Sequence, residues 1–297
     1  MLIREFPDFV PMSLELKKEM HPHLSLTPDG VSEYTFSNLY LFRNRYAYRV
    51  SRYSRRTSGD QETFIVSGER EGKKFFMTPC AVPGRDILEE LFKTHDYWKG
   101  ISDSVLAPHR TELEEWGVGI TEDRDNFDYL YLRTDLAELS GKKYHKKRNL
   151  VNAFLNTYRH EERSLTADSI PHAIMVLDRW RLDKGIDGDY AAARECLELL
   201  GVLNMRGSIY YVNGRPAGWC LGESLARGRM FAIHFEKAID EYKGIYQYMN
   251  QAFAAALPKY YRYLNREQDM GDEGLRHAKM TYRPYEFVRK YTAIRRG

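Results

Sequence analysis

Apolar residues fall into short clusters along the chain, and their spacing alternates between that of strands and that of helices. After a short amphipathic segment from Tyr34, strands are predicted at Ala47–Tyr53, Thr63–Ser67 and Lys74–Thr78, with Glu71-Gly72 turning between the last two. Ile87, Leu88, Leu91 and Phe92 then repeat at helical spacing, which predicts a helix over Arg85–Lys93 behind Pro83-Gly84. A strand near Ser104–Ala107, a helix at Thr111–Trp116 and a strand at Phe127–Leu132 follow, so this half is expected to be a mixed sheet with helices.

Lys142–Arg159 reads as one long helix, with Leu150, Val151, Phe154, Leu155 and Tyr158 on a single apolar stripe, joining the two halves. The second half opens with a helix from Pro171 to about Lys184, started by Ser169 and ended near Gly185, then another from Tyr190 to about Asn204. Three strands come next, Ser208–Val212, Pro216–Glu223 and Arg229–Glu236, joined by Asn213-Gly214, which favours a tight type I′ turn, and by Arg227-Gly228. A helix at Ile245–Leu257, a strand at Tyr261–Asp269, a helix at Glu273–Thr281 and a last strand at Glu286–Ala293 complete the chain. Two helices, a three-strand meander, then helix, strand, helix, strand is the element order of the GNAT-type (acyl-CoA N-acyltransferase) fold.

At 297 residues the chain exceeds the usual span of one core. We expect an α/β protein of two GNAT-like domains in tandem, with mixed sheets flanked by helices: residues 1–163, including the linking helix, and 164–297. The longest clean apolar run, Ala252–Leu257, is far short of the roughly 20 residues of a membrane span, and no secretory pattern opens the chain, so a cytoplasmic protein without a transmembrane segment is expected. A net charge of +3 gives no general argument for nucleic acid. Cys80, Cys196 and Cys220 are odd in number and lack CxxC spacing, so neither a disulfide framework nor a metal cluster is predicted. His21 and His23 flank Pro22 in a predicted loop without a third ligand, and no metal site is expected there.

Asn265-Arg266-Glu267-Gln268-Asp269-Met270-Gly271, followed by Gly274-Leu275-Arg276 and Lys279-Met280-Thr281-Tyr282-Arg283-Pro284, resembles the signature of the phosphatidylglycerol lysyltransferase C-terminal domain family. The resemblance extends more weakly to Asn38-Leu39-Tyr40-Leu41-Phe42 and Lys146-Lys147-Arg148-Asn149. It implies a tandem pair of GNAT-like folds and relatives that transfer an amino acid from aminoacyl-tRNA to a lipid headgroup. Those relatives carry many membrane spans, which this chain lacks, so a lipid acceptor here requires the protein to have its own way of reaching a bilayer.

On a continuous strand Asn265, Glu267 and Asp269 share one face, and Arg266, Gln268 and Met270 the other. In acyl transfer to an amine or hydroxyl, a carboxylate there takes the proton of the attacking group, with Glu267 the first choice as base, Asp269 the second, and Tyr282 the candidate acid. The competing reading is that these carboxylates pair with arginines and brace the sheet. Arg276, Lys279 and Arg283 place three cations on one helix face, suited either to a substrate's phosphates or to those carboxylates. Lys142, Lys143, His145, Lys146, Lys147 and Arg148 form a basic cluster that is either a solvated helix face or a contact for tRNA phosphates, with Lys146 and Lys147 at its centre.

Where GNAT folds bind phosphate the usual Gln/Arg-x-x-Gly-x-Gly/Ala becomes Glu241-Tyr242-Lys243-Gly244-Ile245-Tyr246, which keeps one glycine and puts a tyrosine at a small-residue position. A coenzyme A or acyl-CoA donor implies pantetheine beside Phe235 and Glu236, with Lys243, Gly244, Ile245 and Tyr246 receiving phosphate. His234 reads as a packed core histidine. The predicted function is transfer of an acyl or aminoacyl group from acyl-CoA or aminoacyl-tRNA to a small-molecule or lipid-headgroup amine or hydroxyl. The rivals are a non-catalytic module that binds a nucleotide or anionic ligand, and an RNA-binding partner without transfer chemistry.

Overall fold

The computed structural model describes residues 1–54, 62–79 and 81–296; Cys80 lies outside them, and the other two cysteines are free and buried. In chain order the strands are β1 Val10–Pro11, β2 Arg49–Ser54, β3 Glu62–Arg70, β4 Lys73–Met77, β5 Tyr97–Ser102, β6 Val118–Glu122 and β7 Asp128–Leu132. They continue with β8 His160–Ser164, β9 Arg206–Val212, β10 Arg215–Leu225, β11 Met230–Ala238, β12 Tyr263–Asn265, β13 Glu286–Val288 and β14 Lys290–Arg295. Two seven-stranded sheets result, ordered β1-β2-β3-β4-β5-β14-β6 and β13-β7-β12-β11-β10-β9-β8. Each is mixed: β4–β5 and β11–β12 pair in parallel, and the other neighbours are antiparallel.

Strand membership does not follow chain order. β7 sits in the second sheet, between β13 and β12, and β14 sits in the first, between β5 and β6. The single strand expected at Glu286–Ala293 is therefore two, divided at Arg289 and running into different sheets. The crossing point is held by a buried ion cluster. Lys290 Nζ, fully buried, donates to Asp128 Oδ1 at 2.7 Å and to Glu33 Oε2, while Ser32 N and Asn265 Nδ2 donate to Asp128 Oδ2 at 2.8 and 3.0 Å. Asp128 opens β7 and Lys290 opens β14, so one ion pair links the two exchanged strands.

Three large cores fill the layers among the described residues. Phe36, Leu39, Val50, Phe64 and Phe75 pack with Leu177, Cys196, Trp219 and Phe235, so the first sheet and the helix Phe36–Leu41 share a core with the helices Ile170–Lys184 and Tyr190–Glu198 and one face of the second sheet. Trp219 Nε1 donates to Ala173 O at 2.9 Å and fixes the first of those helices to β10. Beyond the second sheet lie the helices His145–Thr157 and Ile245–Ala256, packed through Phe154, Phe231, Met249 and Phe253. Leu88, Leu91, Trp98 and Val118 form the third core on the outer face of the first sheet.

Local chemistry explains where pattern reading and structure part. Ser104–Ala107 is not a strand: Ser102 Oγ accepts from Val105 N at 3.3 Å and starts the helix Asp103–Leu106, so the strand lies one step earlier. The helix from Tyr190 stops at Glu198, and His21 and His23 lie within the helix Lys17–Leu24. The Asn213-Gly214 turn has φ of 51° and 78°, as a type I′ hairpin requires.

Candidate functional site

β12 ends at Asn265, four residues short of the expected strand, and the reason is a side chain: Asn265 Oδ1 accepts from Glu267 N at 2.7 Å while its Nδ2 donates to Gly30 O at 2.8 Å. This local bond competes with the sheet and turns the chain, leaving Glu267 in the left-handed region with φ of 55°. The alternation of Asn265, Glu267 and Asp269 is broken. Instead, the carbonyls of Arg266, Glu267 and Gln268 converge on Lys279 Nζ at 2.6, 3.0 and 2.5 Å. Burial, reinforced by nearby Arg266, pulls this ammonium down to about 8. Lys279 thus fixes the loop that presents Glu267.

The expected carboxylate face separates into two environments. Asp269 is completely buried: Arg276 donates to both its oxygens at 2.7 and 2.9 Å, Tyr129 Oη to Oδ2 at 2.5 Å, Arg124 to Oδ2 at 3.3 Å and Gly271 N to Oδ1 at 2.9 Å. Burial alone would raise its pKa, but these donors outweigh it and hold the carboxyl well below the usual carboxylate range. Glu267 accepts from His234 Nδ1 at 2.6 Å, and His234 Nε2 bonds Glu223 Oε1 at 3.0 Å. Asn38 Nδ2 donates to the same Glu267 oxygen at 3.4 Å. His234 is buried, which opposes its charge, yet the two carboxylates prevail and raise the imidazole to about 10, so it is an imidazolium at neutral pH.

His234 reaches both carboxylates because it is the extra residue of a β-bulge: Leu221 pairs with Phe235 and Gly222 with Ile233, leaving His234 unpaired between them. The bulge also turns Phe235 into the shared core, away from the site, while Phe231 and Ile233 pack on the helix side.

These groups line a cavity of about 750 Å³ between the two halves. Its walls include Glu33, Asn38, Arg45 and Lys99 from the first half, Lys147 from the helix His145–Thr157, and Glu236, Tyr246, Arg266, Glu267 and Tyr282 from the second half. Arg266 Nη2 donates to Glu236 Oε2 at 2.7 Å, but Arg266 Nη1 and Glu236 Oε1 are buried without a hydrogen-bond partner. Tyr282, pushed up to about 12 by burial, keeps its phenolic proton, and Lys147 Nζ lies 4.1 Å from its ring centroid.

The other expected residues do not reach the cavity in that way. Arg276 serves Asp269 and Asp125 rather than the cavity, and Arg283, Lys146 and Lys243 are exposed away from the lining residues. Ile245 is in the core. Gly244 has φ of 90°, and a Cβ there would stand 2.5 Å from Leu150 O, so the turn is packed against the helix His145–Thr157. Tyr246 Oη bonds Ala238 N and O at 3.3 and 3.2 Å, occupying the backbone at the end of β11.

The model of the phosphatidylglycerol lysyltransferase C-terminal family matches residues 25–294. The chain belongs to this family. Over 97% of its length it is similar to 99% of a conserved protein of unknown function from Bacteroides thetaiotaomicron, with 28% identity and a TM-score of 0.86. The L-PGS structure from Bacillus licheniformis matches 99% of this chain and 94% of its own, with 15% identity and a TM-score of 0.58. A tandem GNAT protein from the clavulanic acid biosynthesis pathway matches over 98% and 99% at 10% identity, with a TM-score of 0.52. The two-sheet architecture is thus a tandem GNAT-like fold. An uncharacterised Mycoplasmoides gallisepticum protein is 25% identical over 174 residues, and the matched region spans about half of each chain, 55% of this one and 54% of that relative. Among the described residues no helix is long and apolar enough to cross a membrane.

Within this family member, sequence reasoning missed Arg266 and Glu223 as site groups and took His234 for core packing. A mid-strand histidine flanked by carboxylates from β10 and from the turn after β12 carries no sequence signal, because the bulge that joins them exists only in the paired sheet. One test follows from the geometry. His234 should titrate near pH 10 by NMR, and in Glu267→Gln its midpoint should fall toward the ordinary value of about 6.5. Since the folded value is raised, the ion cluster stabilises the protein fully below about pH 6.5, and this contribution is lost as pH rises through about 10.

Proposed function

We propose that this protein is an aminoacyltransferase that moves an aminoacyl group from aminoacyl-tRNA, in the cytoplasm, to an amine or hydroxyl acceptor. The observation that carries the reading is Glu267, held by His234 and through it by Glu223, facing a cavity that also presents an unsatisfied Arg266 Nη1. In the reaction the acceptor's nitrogen or oxygen attacks the acyl carbon, Glu267 takes its proton, and the ester bond to the ribose oxygen breaks. Arg266 Nη1 donates to the oxyanion that forms between these events. The Tyr282 hydroxyl gives its proton to the leaving ribose oxygen and regains one from Glu267, so no net proton stays on the enzyme. His234, charged throughout, orients Glu267 through its Nδ1 hydrogen bond.

The donor preference rests on two contacts. Just past Phe235 and Glu236, beside which pantetheine would run, Tyr246 Oη occupies the backbone at Ala238, and the Gly244 turn that would meet the pyrophosphate is filled by Leu150 and Phe154. A tRNA needs instead a cationic approach, which Lys146 on the surface and Lys147 at the cavity wall supply. Millimolar acetyl-CoA is expected to leave the melting temperature unchanged, while aminoacyl-tRNA binds with an affinity that falls as salt rises. Changing Lys146 and Lys147 together to glutamine should reduce the slope of log affinity against log salt by about 1 to 2. A dose-dependent rise in melting temperature with acetyl-CoA, and no tRNA binding, would reverse the donor assignment.

A further inference from the structure

A second cavity, of about 350 Å³, opens on the outer face of the first sheet, and its lining residues are all different from those of the cavity between the halves. Its floor is β3. There Val66 points into the shared core, and Ser67, on the opposite face, points outward beside Phe76 of β4 and Arg49 of β2. One wall is the opening segment of the chain, with Phe6, Pro7 and Phe9; the other is the last turn of the helix Arg85–Thr94, with His95 just beyond it. Asp96 pins that turn to β4: its Oδ2 accepts from Lys74 N at 2.7 Å and its own N donates to Lys74 O at 2.8 Å. The His95 ring is thereby set against Ser67 and between Phe76 and Phe9, whose ring centroids are 5.6 and 6.2 Å away.

Ser67 Oγ lies 2.8 Å from His95 Nε2, and the other ring nitrogen decides which of the two donates. Nδ1 stands 3.1 Å from Leu91 O, a carbonyl that can only accept, and 3.0 Å from Thr94 Oγ1, whose own proton goes to Leu91 O at 3.2 Å. Nδ1 therefore carries the ring proton, Nε2 keeps its lone pair, and the Ser67 hydroxyl donates to it. Burial, more than any other influence, pulls His95 below its ordinary value, so the ring is neutral at neutral pH and able to take a proton. A hydroxyl, a base within hydrogen-bond reach and a third group that orients the base are the parts of an activated nucleophile. Both side chains are only half-buried and both line the cavity, an access that a packing contact does not need.

We propose that Ser67 and His95 give the protein a second activity, hydrolysis of neutral esters of short apolar carboxylic acids. Ser67 Oγ attacks the ester carbonyl carbon while His95 Nε2 takes the hydroxyl proton, and a tetrahedral oxyanion forms. Lys74 and Arg49, which line the cavity and among the described residues form no ion pair, supply the positive charge that faces it. The bond from carbon to the alcohol oxygen then breaks, His95 gives its proton to that oxygen, and the acyl group stays on Ser67. Water repeats the sequence: its oxygen attacks the acyl carbon, one of its protons passes to His95, and the bond to Ser67 Oγ breaks as that proton returns there. Phe6, Pro7 and Phe9 make the acyl side apolar, and the volume limits the acid to a short one. Glu69 and Glu90 line the same cavity and balance the two cations, which favours a substrate without charge. None of this depends on the aminoacyl reading of the other cavity.

The test applies two probes to the full chain: p-nitrophenyl acetate, followed by release of p-nitrophenolate, and a fluorophosphonate, followed by mass spectrometry of the labelled peptide. Wild-type protein is expected to hydrolyse the ester and to carry the fluorophosphonate on Ser67. Ser67→Ala should lower the rate about 100-fold or more and abolish the label, and His95→Gln, with Ser67 still present, should do the same. The position of the label on wild type needs no variant, so it stands in if His95→Gln does not fold. No label on Ser67, or a label that persists in folded His95→Gln, overturns the pair. Equal hydrolysis by wild type and Ser67→Ala overturns it too, as does labelling of Ser67 without turnover of the ester. Ser67→Ala is expected to keep aminoacyl transfer at the wild-type rate, since Ser67 lies outside the other cavity. Ester hydrolysis that depends on Ser67 and His95, with no transfer from any aminoacyl-tRNA, leaves this activity standing and overturns the transferase.

Discussion

Glu267→Gln lowers the rate of aminoacyl transfer by about 10²- to 10⁴-fold with tRNA binding unchanged. The amide has the shape of the carboxylate and can still accept from His234 Nδ1, 2.6 Å away, so the loop and the cavity stay in place. What is lost is a group able to take the acceptor's proton. Glu267 is also the largest of the influences that raise His234, so its removal makes the imidazolium easier to deprotonate. The effect should therefore fall on kcat rather than on the KM for aminoacyl-tRNA, with the pH profile displaced as well. Steady-state kinetics with a single charged tRNA decide the matter: an unchanged kcat would remove Glu267 from the role of base.

Asp269→Asn should destabilise the fold by about 3 to 5 kcal/mol, because it leaves Arg276 and the end of its network without the buried charge they surround. For a chain of this size that is a fall in melting temperature of roughly 10 °C. The pH dependence has a defined sign. The folded carboxyl is held below its unfolded value, so its stabilisation is fully present above about pH 4 and is lost as pH falls through the depressed folded value. Acid unfolding of wild type and variant, compared by circular dichroism, should converge at low pH. A variant as stable as wild type at neutral pH would show that the five hydrogen bonds on this carboxylate contribute nothing net.

The two carboxylates illustrate what a sequence can carry. That Glu267, Asp269, Arg276 and Lys279 lie close together is legible from the motif, and the meander, its type I′ turn and the flanking helices follow from period and turn chemistry. Which carboxylate is held rigid and which faces a cavity is not, because it depends on Asn265 bonding Glu267 N and turning the chain out of the strand. The cation stripe was legible as a stripe, but its members part company: Arg276 serves a buried aspartate, Lys279 three carbonyls, and Arg283 solvent. Lys99 and Glu33 could not be found at all from spacing, since 66 positions separate them and only the packing of β5 against the segment before the helix Phe36–Leu41 brings them to one wall.

The passage of β14 into the first sheet bears on how the molecule is made. While the ribosome is still translating the second half, β5 and β6 have no strand between them, and the edges they expose are those that β14 covers later. The first half can thus collapse early but cannot close until residues 290–295 emerge. Until then Asp128 waits without Lys290. Synthesis order therefore makes the first-half wall of the cavity the last to be closed.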